Sequence, residues 1–229
     1  SLMEVSTIAD NIGATQSTGY EFSLNTVNLT GPFKWNTTLN ISSYNDRWKE
    51  RNPDVVLAPY EKEDAPIRAI YGCVSDGILQ IGETPPASMP DLLPGQMKVK
   101  DLNGFDPNDG SKLLGHPDGK IDAADRIYLG STDPKVIIGF GNMFEYKNFD
   151  LNIFFYGMFG QYVANSNRAK YGPSGCEYIL QRQNYSKEVL ERWTPDNPTN
   201  KFPSGFYSAY YGGDDWLLEK VSFVRCKNI

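Results

Sequence analysis

Two segments of the chain alternate apolar and polar residues, and each is typical of an antiparallel β-hairpin. The first covers 20–42, where Tyr20, Phe22 and Leu24 face one way and the residues between them are polar. The second covers 136–156 and shows the same two-residue period on both sides of a short turn. Because successive side chains of a strand point to opposite faces, this period predicts strands with one apolar and one polar face.

The connections between these strands are unequal in length. Tight turns at 30–33 and 147–148 close the two hairpins, whereas the other connections, 43–135 and 157–214, are long. Each predicted strand has about ten residues, the length that a tilted strand needs to cross a bilayer. Short turns on one side and long loops on the other are characteristic of outer-membrane barrels. We therefore predict that 1–229 is a mainly β region of antiparallel hairpins from such a barrel.

The long loops carry weaker signals of local structure. Two short strands are expected within 67–80, around a Ser-Asp-Gly turn, and another at 97–100. In the second loop, Ser186 is suited to cap one short helix over 187–193, which Pro195 ends.

The segment from Asp101 to Arg126, DLNGFDPNDGSKLLGHPDGKIDAADR, has the residue types of a split calcium loop. If 105–117 is an insertion, the remainder is DLNGDGKIDAADR, which follows the ligand order of an EF-hand loop. Such a loop uses side-chain oxygens, a backbone carbonyl at position 7 and a carboxylate at position 12. The predicted donors, with Lys120 giving its carbonyl, are Asp101, Asn103, Asp118, Lys120, Asp122 and Asp125.

Two neighbours of these donors support a loop that wraps a cation. Gly119 allows a sharp turn, and Ile121 is expected to point into the adjacent core. Aspartate rather than glutamate at the last position grips the ion less firmly, so we expect a structural Ca²⁺ rather than a signalling switch. The alternative is a polar turn cluster without metal, since Asp, Gly and Asn are common in turns.

Composition excludes several classes of function. The net charge is −6 and no basic run is present, which argues against a nucleic-acid surface. The single histidine, His116, has no partner that suggests a metal or catalytic site, and the three cysteines match no zinc spacing. No nucleophile elbow or phosphate loop is present, so an enzyme is not expected. The sequence lacks an apolar run of about 18 residues, so it does not predict a transmembrane helix.

Several segments resemble, in the same order, the C-terminal part of SusC/RagA-type TonB-dependent outer-membrane transporters of Bacteroidetes. The most recognisable block is PGQMKVKDLNG followed by DGKIDAADRIYLGSTDPKVIIGFGNMFEYKNFDLNIFFYGMFG. The others are NIGATQSTGYEFSLNT, FKWNTTLNISSYND, APIRAIYGCVSDGILQ, RWTPDNPTNKFP and WLLEKVSFVRCKNI. The resemblance covers nearly the whole chain and departs from the family pattern at the 105–117 insertion. It implies an excised barrel fragment without plug domain, TonB-box or signal sequence.

The resemblance also implies a function. It implies binding and uptake of a glycan or another nutrient across the outer membrane, driven through TonB, with a SusD-like lipoprotein as lid and the long loops outside the cell. The tyrosines of 157–214 either contact ligand or lid, or pack the loop on itself: Tyr162, Tyr171, Tyr178, Tyr185, Tyr207, Tyr210 and Tyr211. The alternative is a soluble, calcium-braced β-module that binds carbohydrate or protein.

An isolated piece of a barrel wall would leave apolar rows uncovered. The rows expected to face lipid contain Phe22, Leu24, Leu39, Phe140, Phe144, Leu151, Ile153 and Phe155. Exposed apolar rows and open strand edges seek partners. We therefore expect the isolated fragment to oligomerise or to bury these rows in a different sheet packing.

Overall fold

The computed structural model describes residues 13–171, 184–204 and 215–229, and its dominant element is one five-stranded sheet. The strands are β1 (Ala14–Thr30), β2 (Phe33–Glu50), β3 (Ala69–Gly72), β4 (Ser75–Ile78), β5 (Met97–Val99), β6 (Phe105–Asp106), β7 (Asp109–Leu113), β8 (Ile127–Ser131), β9 (Val136–Tyr146), β10 (Phe149–Ala164) and β11 (Leu218–Asn228). One α-helix, α1 (Ser166–Tyr171), follows β10. Strands β1, β2, β9, β10 and β11 form the large sheet in that order, and each adjacent pair is antiparallel.

The large sheet confirms the predicted fold class and both hairpins. Gly31 and Pro32 connect β1 to β2, and Lys147 and Asn148 connect β9 to β10. Lys147 has a φ of 54°, the left-handed conformation that a two-residue hairpin turn requires. The long connections therefore both leave from the opposite end of the sheet.

The strands are longer than the alternating pattern predicted. β1 has 17 residues, β2 has 18 and β10 has 16, so the long connections begin at 51 and 165 rather than at 43 and 157. Pairing of β1 with β2 continues past the last apolar row, for example between Gln16 and Arg47. The alternation ends where the apolar face ends, whereas the backbone hydrogen bonding continues beyond it.

The two faces of the sheet differ in polarity. Leu24, Leu39, Phe140 and Phe155 are register neighbours and form one apolar row across four strands. Leu24 is 44% exposed, so the row has no second layer over it. The sheet thus stays open, and the predicted rows are not buried by a different packing of this chain.

The opposite face carries hydrogen-bonded polar side chains. Ser23 Oγ donates to Asn40 Oδ1 at 2.8 Å, and Lys34 Nζ forms a salt bridge with Glu145 at 2.8 Å. This face is not entirely polar, because Phe154 packs against the backbone of the glycines in β9. The apolar face in turn holds a polar cluster, in which Asn142 Oδ1 accepts from Trp35 Nε1 at 2.9 Å and from Thr37 Oγ1 at 2.8 Å. The alternation in sequence therefore corresponds to two faces that differ in their predominant polarity.

The buried core lies outside the large sheet. Among the described residues, the buried apolar side chains are Ala65, Cys73, Ile78, Leu79, Met89, Leu92, Met97, Val99, Ile121, Ala124, Trp193 and Phe202. They belong to the described residues of 51–135 and 165–217, which we call the loop body. Trp193 packs with Ile78 and Met97, and its Nε1 donates to Gln80 Oε1 at 2.8 Å. The two long connections thus fold together at one end of the sheet.

Short elements of the loop body pair differently from the prediction. β3 pairs with β8 and β4 with β5, so the two short strands within 67–80 do not form a hairpin with each other. The Ser-Asp-Gly sequence lies inside β4 instead of forming a turn, because Ile78 is drawn into the core beside Met97. The 105–117 insertion is not an irregular excursion but contains a small hairpin of β6 and β7.

The predicted short helix is a 3₁₀ helix. It covers Lys187–Glu191, and Ser186 occupies the cap position without a side-chain hydrogen bond. The regular α-helix, α1, lies earlier in the same connection and was not predicted, although Asn165 caps it: its Oδ1 accepts from the N–H of Arg168 at 2.9 Å. Among the described helices, none has the length and apolar character to cross a bilayer.

A close contact between β1 and β2 generates a test of the sheet. A Cβ on Gly19 would lie 2.6 Å from the carbonyl oxygen of Ser43, whereas a Cβ on Gly31 would meet no heavy atom within 4 Å. Since backbone cannot move aside as a flexible side chain can, we expect Gly19→Ala to destabilise the full-length protein by about 1–3 kcal/mol. Urea unfolding measures the change, and Gly31→Ala is the matched control. Equal unfolding midpoints for both variants would contradict the contact.

Candidate functional site

Asp125 is the centre of the acidic segment. Its side chain is fully buried, and Oδ1 accepts hydrogen bonds from the backbone N–H groups of Leu102 (2.7 Å) and Asn103 (3.1 Å). Oδ2 accepts from the N–H of Asp122 at 2.8 Å, while Asp122 Oδ1 accepts from the N–H of Ala124 at 2.7 Å. We call these contacts the Asp125 network. It joins the two ends of the segment and caps the 3₁₀ helix Ala123–Asp125.

Two further predicted donors, Asp101 and Asp118, also accept backbone hydrogen bonds. Asp101 accepts from the N–H of Asp118 (3.3 Å) and of Gly119 (2.8 Å), and Asp118 Oδ1 accepts from the N–H of Lys120 at 3.0 Å. Gly119 has a φ of 85°, as expected for the sharp turn. Ile121 is 7% exposed and belongs to the buried core, also as predicted.

The 105–117 insertion leaves the two halves of the segment adjacent. The N–H of Leu114 donates to the carbonyl of Gly104 at 2.8 Å, so the insertion closes on itself. Asn103 Oδ1 accepts from the N–H of Gly104 at 3.1 Å and from the N–H of Gly115 at 2.7 Å. The interrupted order of residues is thereby restored in space.

The placement of the acidic side chains bears on the predicted cation site. Within residues 13–171, 184–204 and 215–229, no three Asp, Glu, His or Cys side chains converge in a way that could hold a metal ion. Each oxygen of Asp125, the predicted last ligand, already accepts from backbone N–H groups. The side chains instead order the segment through hydrogen bonds to the backbone. Binding of Ca²⁺ to the predicted donors stays a prediction from the sequence.

A cavity of about 600 Å³ adjoins the acidic segment, a volume typical of small-molecule sites. Leu102 and Asn103 line it from one end of the Asp125 network, and Ala124 and Arg126 line it from the other. The network therefore fixes four lining residues relative to one another.

Three tyrosines form an aromatic wall of this cavity, which we call the tyrosine cavity. The ring centroids of Tyr60 and Tyr71 are 5.6 Å apart, and those of Tyr71 and Tyr128 are 6.0 Å apart with an edge-on geometry. These separations are typical of favourable aromatic pairs. Partial burial raises the pKa of the Tyr128 phenol above its ordinary value, and the neighbouring Tyr71 adds to the rise. Tyr128 is nevertheless half exposed, so its ring offers apolar surface to a ligand.

The charged residues of the tyrosine cavity are mainly cationic. Arg47, Lys62 and Arg126 line it together with a single carboxylate, Asp64, in a chain whose net charge is −6. Arg126 lies over the ring of Tyr60 at 5.9 Å, and its Nη1 donates to the Tyr60 hydroxyl at 3.3 Å. Arg47 Nη1 lies 3.5 Å from Asp64 Oδ2.

Sequence reasoning did not identify this cavity, although two of the quoted segments contain its tyrosines. Tyr71 lies in APIRAIYG and Tyr128 follows the acidic segment in ADRIYLG. The spacing between them gave no signal because β3 and β8, which bring them together, are short and far apart in the chain. The cavity thus depends on the pairing of β3 with β8, which no local sequence motif predicts.

The tyrosines that were expected to contact ligand or lid are only partly described. Tyr178, Tyr207, Tyr210 and Tyr211 lie outside the described residues, and of Tyr171 only the place in α1 is described. Tyr162 packs closely on β8, where a Cβ on Gly130 would lie 2.5 Å from its Cδ2. Tyr162 thus packs against the other long connection, and contact of these tyrosines with ligand or lid stays a prediction. Tyr185 has a buried hydroxyl and lies next to the 3₁₀ helix.

The fold defines a class of protein. An antiparallel meander with one apolar and one polar face, closed by short turns at one end and long connections at the other, is the arrangement of a barrel wall in outer-membrane transporters. No family model matches the chain.

Similar proteins agree with this class. The chain is 32% identical over 231 residues to TonB-dependent receptor P26 of Formosa agariphila, covering 96% of the chain and 22% of the receptor. It is 29% identical over 243 residues to TonB-dependent receptor P3 of the same organism, covering 98% of the chain and 22% of the receptor. The chain thus spans 22% of the length of the curated relatives it matches. TonB-dependent receptors are outer-membrane proteins.

Solved structures show the same fold. The RagAB peptide transporter matches with a TM-score of 0.65 and 18% identity, over 94% of the chain and 22% of that protein. The RagAB peptide importer in its open-open state matches with a TM-score of 0.61 and 19% identity, over 94% and 22% respectively. The relatives named TonB-dependent receptors confirm the resemblance to TonB-dependent transporters, and the RagAB structures show that the chain has the fold of the corresponding part of such a protein.

Removing the Asp125 carboxylate tests the network that orders the acidic segment. Asp125→Ala leaves three backbone N–H groups without their acceptor, and an orphaned buried donor costs about 1–3 kcal/mol. We expect the segment to lose about 3 kcal/mol of local stability or more, measured by amide hydrogen exchange at Leu102 and Asn103 in the full-length protein. The control is Asp91→Ala, which removes an exposed carboxylate from the same loop body. Unchanged protection at both amides would contradict the role of Asp125.

A calcium titration tests the prediction from the sequence. If Asp118 supplies the ligand at position 5, then Asp118→Ala should bind Ca²⁺ more weakly than the native protein, because a carboxylate oxygen is lost. Calorimetric titration of the full-length protein measures both affinities, again with Asp91→Ala as control. Equal affinities for the native protein and Asp118→Ala would remove Asp118 from the ligand set.

Proposed function

We propose that this chain forms part of the barrel wall and the outer loops of a transporter that takes up an oligomeric nutrient, such as a glycan, through the outer membrane. The observation that carries the proposal is the two-faced sheet. From Phe33 to Ser43, β2 rises by about 33 Å at about 3.3 Å per residue, which a tilt of about 40° reduces to about 25 Å along the membrane normal. This is the height of the apolar band on outer-membrane barrels, about 25 Å.

Aromatic residues at the turn end support a membrane boundary there. The ring of Phe33 lies 6.0 Å from that of Phe144 and 6.4 Å from that of Tyr146, and Trp35 lies 5.9 Å from Phe144. Phe149, in the first position after the turn, is 79% exposed. Belts of aromatic side chains mark the interfaces of transmembrane barrels.

The position of the loop body supports an orientation and a set of partners. We place the short turns on the periplasmic side and the loop body outside the cell, where long barrel loops lie. A SusD-like lipoprotein would cover the loop body, and TonB would act through parts of the transporter outside this chain. Among the described residues, the edge strands β1 and β11 each have one unpaired side. In isolation, these edges would promote oligomerisation, whereas in the transporter they continue the wall.

Strand length favours the transporter over a soluble calcium-braced module. The five strands of the large sheet have 11–18 residues, whereas strands of soluble proteins most often have about five or six. A soluble module would also need a second layer over the row that contains Leu24 and Phe140.

Charge placed on either face of β2 tests the proposal. Leu39 lies in the middle of the apolar row, and its neighbour Asn40 lies on the opposite face. An arginine on the lipid face at the bilayer midplane costs about 2–4 kcal/mol, whereas positions facing the lumen tolerate it. We expect Leu39→Arg to impair assembly of the full-length protein in the outer membrane and Asn40→Arg to leave assembly largely intact. Cell fractionation and heat-dependent gel mobility measure assembly, and equal assembly of both variants would contradict the proposal.

A further inference from the structure

We propose that the tyrosine cavity binds an anionic sugar unit of the imported oligomer, a uronic acid or a sulfated pyranose. The inference rests on the proposed function and adds to it the place and the chemical class of a ligand contact. It is argued from the aromatic wall, the charges and the rigid frame of the cavity.

The aromatic wall suits a sugar ring. Tyr60, Tyr71 and Tyr128 are in continuous ring contact, with centroid separations of 5.6 and 6.0 Å. Tyr128 is 50% exposed and the adjacent Ile127 is 41% exposed. Flat rings with a polar hydroxyl at one end offer apolar area and hydrogen bonding at a low entropic cost. A pyranose presents the matching surface, a flat face of C–H groups surrounded by hydroxyls.

The charges of the lining favour an anionic ligand. Arg47, Lys62 and Arg126 face a single carboxylate, Asp64, in a protein that is acidic overall. The guanidinium group binds carboxylate and sulfate oxygens through paired, charge-assisted hydrogen bonds. The contact of Arg47 with Asp64 is 3.5 Å long between two exposed side chains. Such surface pairs contribute little, so a ligand anion can compete for Arg47.

The frame of the cavity is ordered before any ligand arrives. Asp125 accepts hydrogen bonds from the N–H groups of Leu102 and Asn103, and it directly precedes Arg126 in the chain. Asn103 Oδ1 already accepts two backbone hydrogen bonds, so its Nδ2 is the group that remains to donate to a ligand oxygen. Ordered lining residues reduce the entropic cost of binding.

A peptide is a less suitable occupant. Extended peptides are recognised mainly through backbone hydrogen bonds to a free strand edge. The lining of the tyrosine cavity is instead dominated by rings and cationic side chains. An acidic peptide is therefore the competing outcome that the experiment must separate from an acidic sugar.

Binding of three probes to the full-length transporter in detergent tests the proposal. The probes are tetragalacturonate as the acidic oligosaccharide, cellotetraose as a neutral one and tetraglutamate as an acidic peptide, each titrated calorimetrically. The variants are Arg47→Gln, Tyr128→Ala and Arg126→Gln. Because Arg126 is partly buried beside Tyr60, the exposed positions Arg47 and Tyr128 keep the test valid if Arg126→Gln fails to fold. The control is Arg68→Gln, which removes an arginine that pairs with Asp133 at 3.0 Å outside the cavity.

We expect tetragalacturonate to bind the native protein and the Arg68→Gln control alike, and cellotetraose to bind at least about tenfold more weakly. Loss of a charge-assisted hydrogen bond should weaken tetragalacturonate binding about tenfold or more in Arg47→Gln. Tyr128→Ala should weaken both oligosaccharides. Equal binding of the neutral and acidic oligosaccharides, unchanged binding in both exposed variants, or no binding by the native protein would overturn the proposal.

Two further results distinguish the sugar proposal from a peptide ligand and from the proposed transporter function. Tighter binding of tetraglutamate, weakened by the same variants, would replace the sugar by a peptide and overturn the proposed class. Failure of the tyrosine cavity to bind a sugar leaves the transporter function intact, because that function is tested independently by membrane assembly of the β2 variants.

Discussion

The register of β2 against its two neighbours is the constraint on which the rest of the structure depends. β2 pairs with β1 along nearly its whole length and with β9 from Phe33 to Ser42. Among the described residues, nothing covers the apolar row of Leu24 and Phe140, so no buried core corrects an error in this pairing. A slip by one residue would exchange the two faces and place Asn40 in the row of Leu24 and Phe140. Both the polarity of the faces and the direction of the long connections follow from this single alignment.

The loop body is stabilised in a different way from the large sheet, by a buried core like that of a small globular protein. Its order comes from buried apolar side chains such as Ile78, Met89 and Trp193, and from a buried carboxylate that satisfies backbone donors. Asp125 draws the two ends of the acidic segment together through hydrogen bonds from backbone N–H groups on both sides of the insertion. An EF-hand loop and the hydrogen-bonded segment in the structure both require oxygen-bearing side chains at alternate positions around a tight backbone turn. The same sequence pattern therefore fits both.

The features that could be predicted from the sequence are those set by residues close together in the chain. The alternating residues located both hairpins, and Gly119 and Ile121 have the conformation and burial that the pattern required. Strand ends were missed because hydrogen bonding continues after the apolar face stops, as in β2 beyond Ser42. The pairing of β3 with β8 was missed because it joins residues about 60 positions apart without a local signal. The tyrosine cavity depends on that pairing and was therefore beyond reach from single segments.

The separation between the large sheet and the loop body explains which part of the fold can carry binding residues. Side chains of the large sheet are restricted by period and polarity, since each must suit one of two faces. Residues of the loop body face no such rule, and a rigid scaffold that carries variable loops is a common solution for binding. The tyrosine cavity lies where the two meet: Arg47 comes from the end of β2, and Tyr71 and Tyr128 come from the loop body. A ligand bound there would contact a strand of the wall and the segment ordered by Asp125 at once, so both parts of the fold would contribute to its position.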